Sequence, residues 1–402
     1  MLRAPVPVPA TAMTHRISSC LLSLPQARLP GSIFRWMDLK PSPCTLPSMA
    51  ILTEPIGSIP RSPELIHSIG AFQAGKISQA ALDDACNEAL RDTIARFEQT
   101  GSPVISDGEQ TKPSFATYPL SGIANLAPDG VVIPFADGHV RQLPRLTAGP
   151  FRYGVHAASY IEAARSYTRI PIKQAVISAS ALSLLYPASG IPGYSREEFL
   201  ADLIDEAEAD IKGALNAGAA SVQIDFTEGR LSLKLDPSGN LLRTFIALNN
   251  QVLERFTPDE RHRIGVHVCP GGDHDSTHSA DVDYAALLPD LFQLKAGRFY
   301  LQMASEPDRK RVLRIVSQLV RPEQIIFIGV IDPINPVVET AAIVRDRVLE
   351  AAAFVPVKQL GSTDDCGFAP FADDISTARE TAFSKIRARV EGTQLASSEL
   401  GV

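Results

Sequence analysis

From Met49 onward the chain alternates short apolar runs with helix-length amphipathic stretches, and few folds accommodate that rhythm eight times over. The runs are ILTEPIGS (51–58), PVISD (103–107), IKQAVI (172–177), SVQIDF (221–226), RIGVHV (263–268), RFYLQM (298–303), QIIFIGV (324–330) and FVPVKQL (354–360). Between them QAALDDACNEALRDTIARFE, REEFLADLIDEAEADIKGALNAG and NPVVETAAIVRDRVLEAAA carry apolar residues at i, i+3 and i+4, the spacing of a one-sided helix. Strand followed by helix implies right-handed parallel crossovers. Eight such units close into an α/β fold of the (β/α)8 TIM-barrel type, with ISTARETAFSKIRARVEG covering the eighth strand. The interval from Gly108 to Pro171 is too long for one crossover. It holds two apolar runs around Asp137-Gly138, a hairpin-turn dipeptide, and a helical pattern near HAASYIEAARSY. A β-hairpin insertion after strand 2, covering one end of the barrel, is expected.

A length of 402 residues suits one such barrel with insertions. The net charge of −7 comes with no basic stripe, which argues against a nucleic-acid partner. No run of eighteen apolar residues marks a membrane span. Five cysteines, an odd number in a long chain, do not form a disulfide framework, so a reducing, cytoplasmic setting is expected. Residues 1–48 differ: Arg3, Arg16, Arg28 and Arg35 precede the first acidic residue, Asp38. That is transit-peptide composition and would place the protein in mitochondria, although the prolines oppose an amphipathic helix. A disordered extension, or a start at Met49, is the alternative; Cys20 and Cys44 fall there without a role. The barrel is assigned to 49–395 and a disordered tail to 396–402.

In a barrel of this kind the chemistry lies at the carboxyl ends of the strands. The polar residues found there are Ser58, then Asp107 and Glu109, Ser178, Asp225, His267 and Cys269, Gln302 and Glu306, Asp332, and finally Asp364, Asp365 and Cys366. His267 and Cys269 are two apart on extended backbone and point the same way. With Cys366 arriving from the last strand they supply imidazole and thiolates, the ligands of a three-residue zinc site with an exchangeable fourth position. Two sulfur ligands suit delivery of a thiolate nucleophile; a structural zinc or a buried unliganded group is the alternative. For a further ligand, Gln302 offers only a poor amide oxygen. Glu306 is a better donor, but in MASEPDRKR it equally opens a helix capped by Ser305. Asp225 ends an otherwise apolar strand and is read as functional. Glu109 and Ser58 suit either a site or a turn, and Asp332 either a site or an Asp-Pro turn. His274 and His278 lie in a loop and are expected to be solvated; Cys86 is read as a core helix residue.

IGS at 56–58, SDGE at 106–109, QID at 223–225, HVC at 267–269, GVID at 329–332 and DDCG at 364–367 resemble, in order and strand position, the catalytic barrel of the cobalamin-independent methionine synthases. The resemblance spans Ile51 to Gly392. It implies a zinc ion on His267, Cys269 and Cys366 that activates the thiol of homocysteine for attack on the methyl group of a methylated pterin. It further implies that Ser58, Glu109 and Asp225 bind homocysteine. The family's strand-six zinc glutamate falls on Gln302, so Glu306 or water would substitute, and its QIDEPA reads QIDFTE here, with Phe226 for a carboxylate and Glu228 two places on. The chain is similar to a single-barrel, stand-alone member. The function expected is a zinc-dependent methyltransferase acting on a small thiol, with Asp225 and Asp332 as acid groups, Asp332 protonating the leaving group, and a folate, corrinoid or other small donor. The rivals are a different thiol-alkyl transfer or decarboxylation on the same barrel, and a silent zinc-binding accessory protein.

Overall fold

A computed structural model describes residues 51–402; the reading of residues 1–48 and of Met49, Cys20 and Cys44 lies outside the described residues. In chain order the strands are β1 (Leu52–Thr53); an excursion of β2 (Leu126–Ala127), β3 (Val132–Pro134), β4 (Val140–Gln142) and β5 (Arg145–Leu146); then β6 (Lys173–Ile177), β7 (Ser221–Asp225) and β8 (Ile264–Val268). They continue with β9 (Gly272–Asp273), β10 (Ser276–Thr277), β11 (Arg298–Leu301), β12 (Ile325–Ile331) and β13 (Leu360–Asp364). One parallel sheet runs β1-β13-β12-β11-β8-β7-β6. Strands β6, β7 and β8 are buried along their whole length, as parallel strands covered on both faces must be.

The eighth place, between β6 and β1, is filled by the second apolar run, which pairs as a single parallel bridge between Ile105 and Ile172. The Ile105 amide donates to Pro171 O at 3.0 Å and Lys173 N donates to Ile105 O at 2.8 Å, while on the other side Ile59 N donates to Gly108 O at 3.0 Å and Ser106 Oγ to Gly57 O at 2.6 Å. The sheet therefore curls into the expected barrel. Strand two is short because Pro103 lacks an N–H and Gly108 turns the chain at φ 65°, where a Cβ would also stand 2.5 Å from Thr93.

Three boundaries differ from expectation. The last strand is Leu360–Asp364, not 354–360; Val357–Gln359 is a single 3-10 turn leading into it. Apolarity misplaces it because it is buried although three of its five side chains are polar. Ser362 Oγ bonds Thr53 Oγ1 at 2.9 Å and Thr393 Oγ1 at 2.7 Å, and Asp364 accepts from Arg389 and from the Ile56 amide. The helix after β11 starts at Arg309 with Asp308 as its N-cap, so Ser305 caps nothing. The final helix spans Arg379–Glu399 with Ala396 and Ser397 buried; the expected tail from 396 is helical through Glu399 because that face packs into the core.

The insertion after the second strand forms as expected. β3 and β4 pair antiparallel about Asp137-Gly138, with Gly138 at φ 95°, and a helix follows at Ala158–Arg165. Among the described residues, no helix is long and apolar enough to cross a membrane.

Candidate metal centre

Alternation along β8 sends Gly265, His267 and Cys269 to one face of the strand. At Gly265 a Cβ would stand 2.4 Å from the Tyr300 ring, so the strand can pass this aromatic only as glycine. Beyond Cys269 the chain turns through Gly271 at φ 71°, whose amide donates to Cys269 Sγ at 3.4 Å. From β13, Cys366 arrives with its Sγ 3.3 Å from Cys269 Sγ. The ligand atoms of His267, Cys269 and Cys366 all lie within 4.8 Å of one another. His267 is 2% exposed, and neither of its ring nitrogens has a hydrogen-bond partner.

Two buried sulfurs this close cannot both be anions without a cation between them. Cys269, beside Cys366 and fully buried, is pushed well above the usual thiol range. Cys366 is drawn well below it by the hydrogen bond from Cys269 and by the His267 imidazole, which lies near enough to polarise the sulfur without reaching hydrogen-bond geometry. Two sulfurs in contact, beside an imidazole with two idle nitrogens, are the donor set of a zinc site.

This trio stands at the inner end of a cavity of about 1030 Å³ whose wall includes Ser58, Glu109, Asp225, His267 and Cys366. Ser58 is buried and its Oγ accepts from the Ala369 amide at 3.2 Å, which leaves its hydroxyl hydrogen for a ligand. Glu109 has a backbone φ of 55°, unusual for a non-glycine residue and frequent at functional sites. Its carboxylate accepts from Lys112 Nζ at 3.0 Å. Asp225 accepts from Gln223 Nε2 at 2.7 Å, and burial pushes it up to about 7 despite the neighbouring His267. The structure thus brings together six of the expected residues.

Two others stand apart. Glu306 is not within ligand distance of the trio; it sits in the turn before the helix, where its Oε1 accepts from Asp308 N at 3.4 Å. Asp332 does not line the cavity; its Oδ1 accepts from Ile334 N at 3.1 Å, the Asp-Pro turn of the alternative reading. Gln302 is turned to Arg230, whose Nη1 donates to its Oε1 at 2.7 Å, and its own Nε2 donates to Ser305 Oγ at 2.6 Å.

Several residues of this region escaped the sequence reading. His278, expected in solvent, is buried on the cavity wall, its Nδ1 has no partner, and burial pulls it down to about 4. It fills the space a Cβ on Gly271 would need, 1.8 Å from that position. Arg61 ties the site's loops together, donating to Ala369 O, Phe371 O, Glu109 O and Lys112 O at 2.6–3.0 Å. Asp365 accepts three amides, from Met303, Ala304 and Ser305, at 2.8 Å, and the Ser305 hydroxyl at 2.7 Å. Of these, Asp365 was visible only as one more carboxylate at a strand end, and Arg61 carried no local signal. Cys86, expected in the core, is half-buried and lines the cavity.

A second cluster, Asp273, His274 and Asp374, also has its ligand atoms within 4.8 Å. Asp273 is already engaged: Arg141 binds it together with Asp373, and His139 Nε2 bonds it at 3.0 Å. These contacts pin the β3–β4 hairpin over the cavity.

Known proteins share this chain's sequence pattern and its fold. The sequence profile described as the catalytic domain of cobalamin-independent synthase matches residues 51–391. A methionine synthase of Saccharolobus islandicus is 22% identical over 348 residues, covering 87% of this chain and 95% of that protein. A 5-methyltetrahydropteroyltriglutamate–homocysteine methyltransferase of Nitratidesulfovibrio vulgaris is 24% identical over 358 residues, 86% of this chain but 42% of that one. In fold, a B12-independent methionine synthase from Shewanella, solved in complex with selenomethionine, superposes with a TM-score of 0.69 at 19% identity, over 87% of this chain and 99% of that one. The chain belongs to the cobalamin-independent synthase catalytic-domain family and is, with it, a methyltransferase.

Proposed function

We propose that the protein transfers a methyl group to the sulfur of a small amino-acid thiol, homocysteine in the first instance, with zinc held by His267, Cys269 and Cys366. The observation that carries this is the gathering of two sulfurs and an otherwise idle buried imidazole at the inner end of a large cavity. When bound there, zinc lowers the pKa of a coordinated thiol so that the thiolate is present near neutrality. The chain's own residues do the rest. Ser58 donates its hydroxyl to the substrate carboxylate. Glu109 and Asp225, on adjacent parts of the wall, face the substrate ammonium group, and charge-assisted hydrogen bonds fix the sulfur for in-line attack. Lys112 and Arg61 hold the Glu109 loop in its left-handed turn. The sulfur forms its bond to the methyl carbon as the donor bond breaks; that electron pair stays on the donor, which takes up a proton. With Glu306 outside ligand distance and Gln302 engaged by Arg230, the chain would hold a zinc through His267, Cys269 and Cys366 alone.

Purified protein should contain one zinc per chain and, given homocysteine and a methylated pterin, should yield methionine by mass spectrometry. Zinc without turnover of any thiol would favour a silent binding protein. Failure to hold zinc would remove the proposal.

A further inference from the structure

Resting on that reading, we infer that Lys173 and Gln223 are positioning residues that act through Asp225 and aim its carboxylate at the substrate ammonium group. Of β6 and β7 the cavity wall includes only Ala175 and Asp225, so neither positioning residue meets the substrate. Period-two alternation puts Ser221, Gln223 and Asp225 on one face of β7, and Lys173, Ala175 and Ile177 on one face of β6. The two strands pair in parallel with Lys173 beside Ser221, Ala175 beside Gln223 and Ile177 beside Asp225. Lys173 therefore starts one layer below Gln223, and the single methyl group of Ala175 leaves it room to reach up. Its Nζ donates to Gln223 Oε1 at 2.7 Å, and Gln223 Nε2 donates to Asp225 Oδ1 at 2.7 Å. The three side chains form one line from the barrel interior to the site.

A side-chain amide fits its slot either way round, and an oxygen turned to Asp225 would set acceptor against acceptor. Lys173 decides between the two, because an ammonium has three donors and no acceptor. Only the amide oxygen can face it, and the amide NH2 is left for Asp225. Gln223 is fully buried, which removes bulk water as an alternative partner. Lys173 is held in turn: its Nζ lies 3.9 Å from Glu54 Oε2 and 3.9 Å from the Tyr300 ring centre. Burial draws Lys173 down to about 7 against the pull of Glu54, so its charge depends on the acceptors it meets, and Gln223 Oε1 is closer than Glu54. At the other end, His267 gives Asp225 no hydrogen bond, since both its ring nitrogens are idle. Gln223 is then the side chain that fixes Asp225 Oδ1, and the second oxygen is left for a ligand. A carboxylate already held in place loses little freedom when it takes an ammonium group.

The test is thiol binding to the zinc-loaded full chain, by calorimetry, with two probes: homocysteine, and 4-mercaptobutyrate, which is homocysteine without its amino group. The unaltered chain should bind homocysteine about thirtyfold more tightly or better. Gln223→Leu and Lys173→Met should each weaken homocysteine about tenfold and leave 4-mercaptobutyrate within about twofold, with zinc content unchanged. Added to Asp225→Ala, either substitution should weaken homocysteine no further, because both act through the carboxylate already removed. Full discrimination between the two thiols in either folded variant overturns the inference. So does an equal loss of both thiols, which is what general loosening of the barrel would give. Should one variant fail to fold, the other carries the same outcomes. An unaltered zinc-loaded chain that binds the two thiols alike, or binds neither, would instead count against the thiol-transfer reading itself, and the inference would fall with it.

Discussion

At the amino end of the barrel Glu54 has both carboxylate oxygens engaged, one by Arg298 at 2.6 Å and the other by Tyr300 at 2.7 Å and Ser221 at 3.3 Å. Lys173, at the foot of β6, bonds Gln223 Oε1 at 2.7 Å and lies 3.9 Å from the Tyr300 ring centre. Two layers higher, His267 has two idle nitrogens, Glu228 an idle oxygen, and two cysteine sulfurs face each other at 3.3 Å. Both groups are buried in one barrel. A buried polar atom without a partner costs about 1–3 kcal/mol; the amino end carries such atoms too, Gln174 Oε1 among them, but only at the carboxyl end do they gather on an imidazole beside two sulfurs. The difference separates side chains that hold the barrel closed from side chains kept for something that binds.

The strongest way to break this comparison is at Cys366. Cys366→Ser should lower zinc affinity by more than about 100-fold and remove turnover, while stability measured in chelator changes by less than about 1 kcal/mol. Tightly held, stoichiometric zinc in that variant would mean the open end is not a metal site. The converse variant is Glu54→Ala, which strands Arg298 and Lys173 in the interior. Unfolding by denaturant should show a loss of about 3–5 kcal/mol, and zinc affinity of the folded fraction should be unchanged. A Glu54 variant that folds normally but loses metal would erase the division between the two ends.

A pH measurement sharpens the boundary. Glu228 receives hydrogen bonds from Ser178 and Ser180 on one oxygen while the other is buried and unpaired; burial pushes it up to about 7. Between the ordinary carboxyl range and about 7 the folded chain binds this proton more tightly than the unfolded chain does. Stability from this group is therefore full at low pH and is lost as pH rises through 7, by about 3 kcal/mol at most. Glu228→Gln should flatten that slope in denaturation midpoints taken from pH 5 to 8. An unchanged slope would show that Glu228 is already charged and paired.

The amino end and the barrel frame were legible because apolar runs of β6, β7, β8, β11 and β12 alternate with helices in a pattern set by burial. The same logic misplaced β13, whose Ser362 and Asp364 are polar yet buried, bonded to Thr53, Thr393 and Arg389. His267, Cys269 and Cys366 were legible as residue types rare in this chain and placed at strand ends. His278 was not: nothing in GGDHDSTHS distinguishes a solvated histidine from one pressed against Gly271. Arg61 and Asp365 act on backbone atoms hundreds or tens of residues away, and such partners leave no local spacing to read.

Asp332 tests whether position at a strand's carboxyl end is enough to make a residue functional. It follows β12 as Asp225 ends β7, and both were read as acid groups. Yet Asp332 is built like the amino end. Its Oδ1 closes a turn onto Ile334, its amide donates to Glu339 Oε1 at 2.9 Å, and its carbonyl accepts from Lys385 Nζ at 3.0 Å. Glu339 and Lys385 pair in turn at 2.7 Å. Asparagine keeps the oxygen that caps the turn, so Asp332→Asn should change kcat/KM by less than about twofold and stability by less than about 0.5 kcal/mol. A loss of about 100-fold or more in kcat with an intact fold would place a proton on Asp332 during turnover. It would also show that a side chain engaged in a turn can leave it to act, and the contrast between engaged and idle polar atoms would then no longer locate the site.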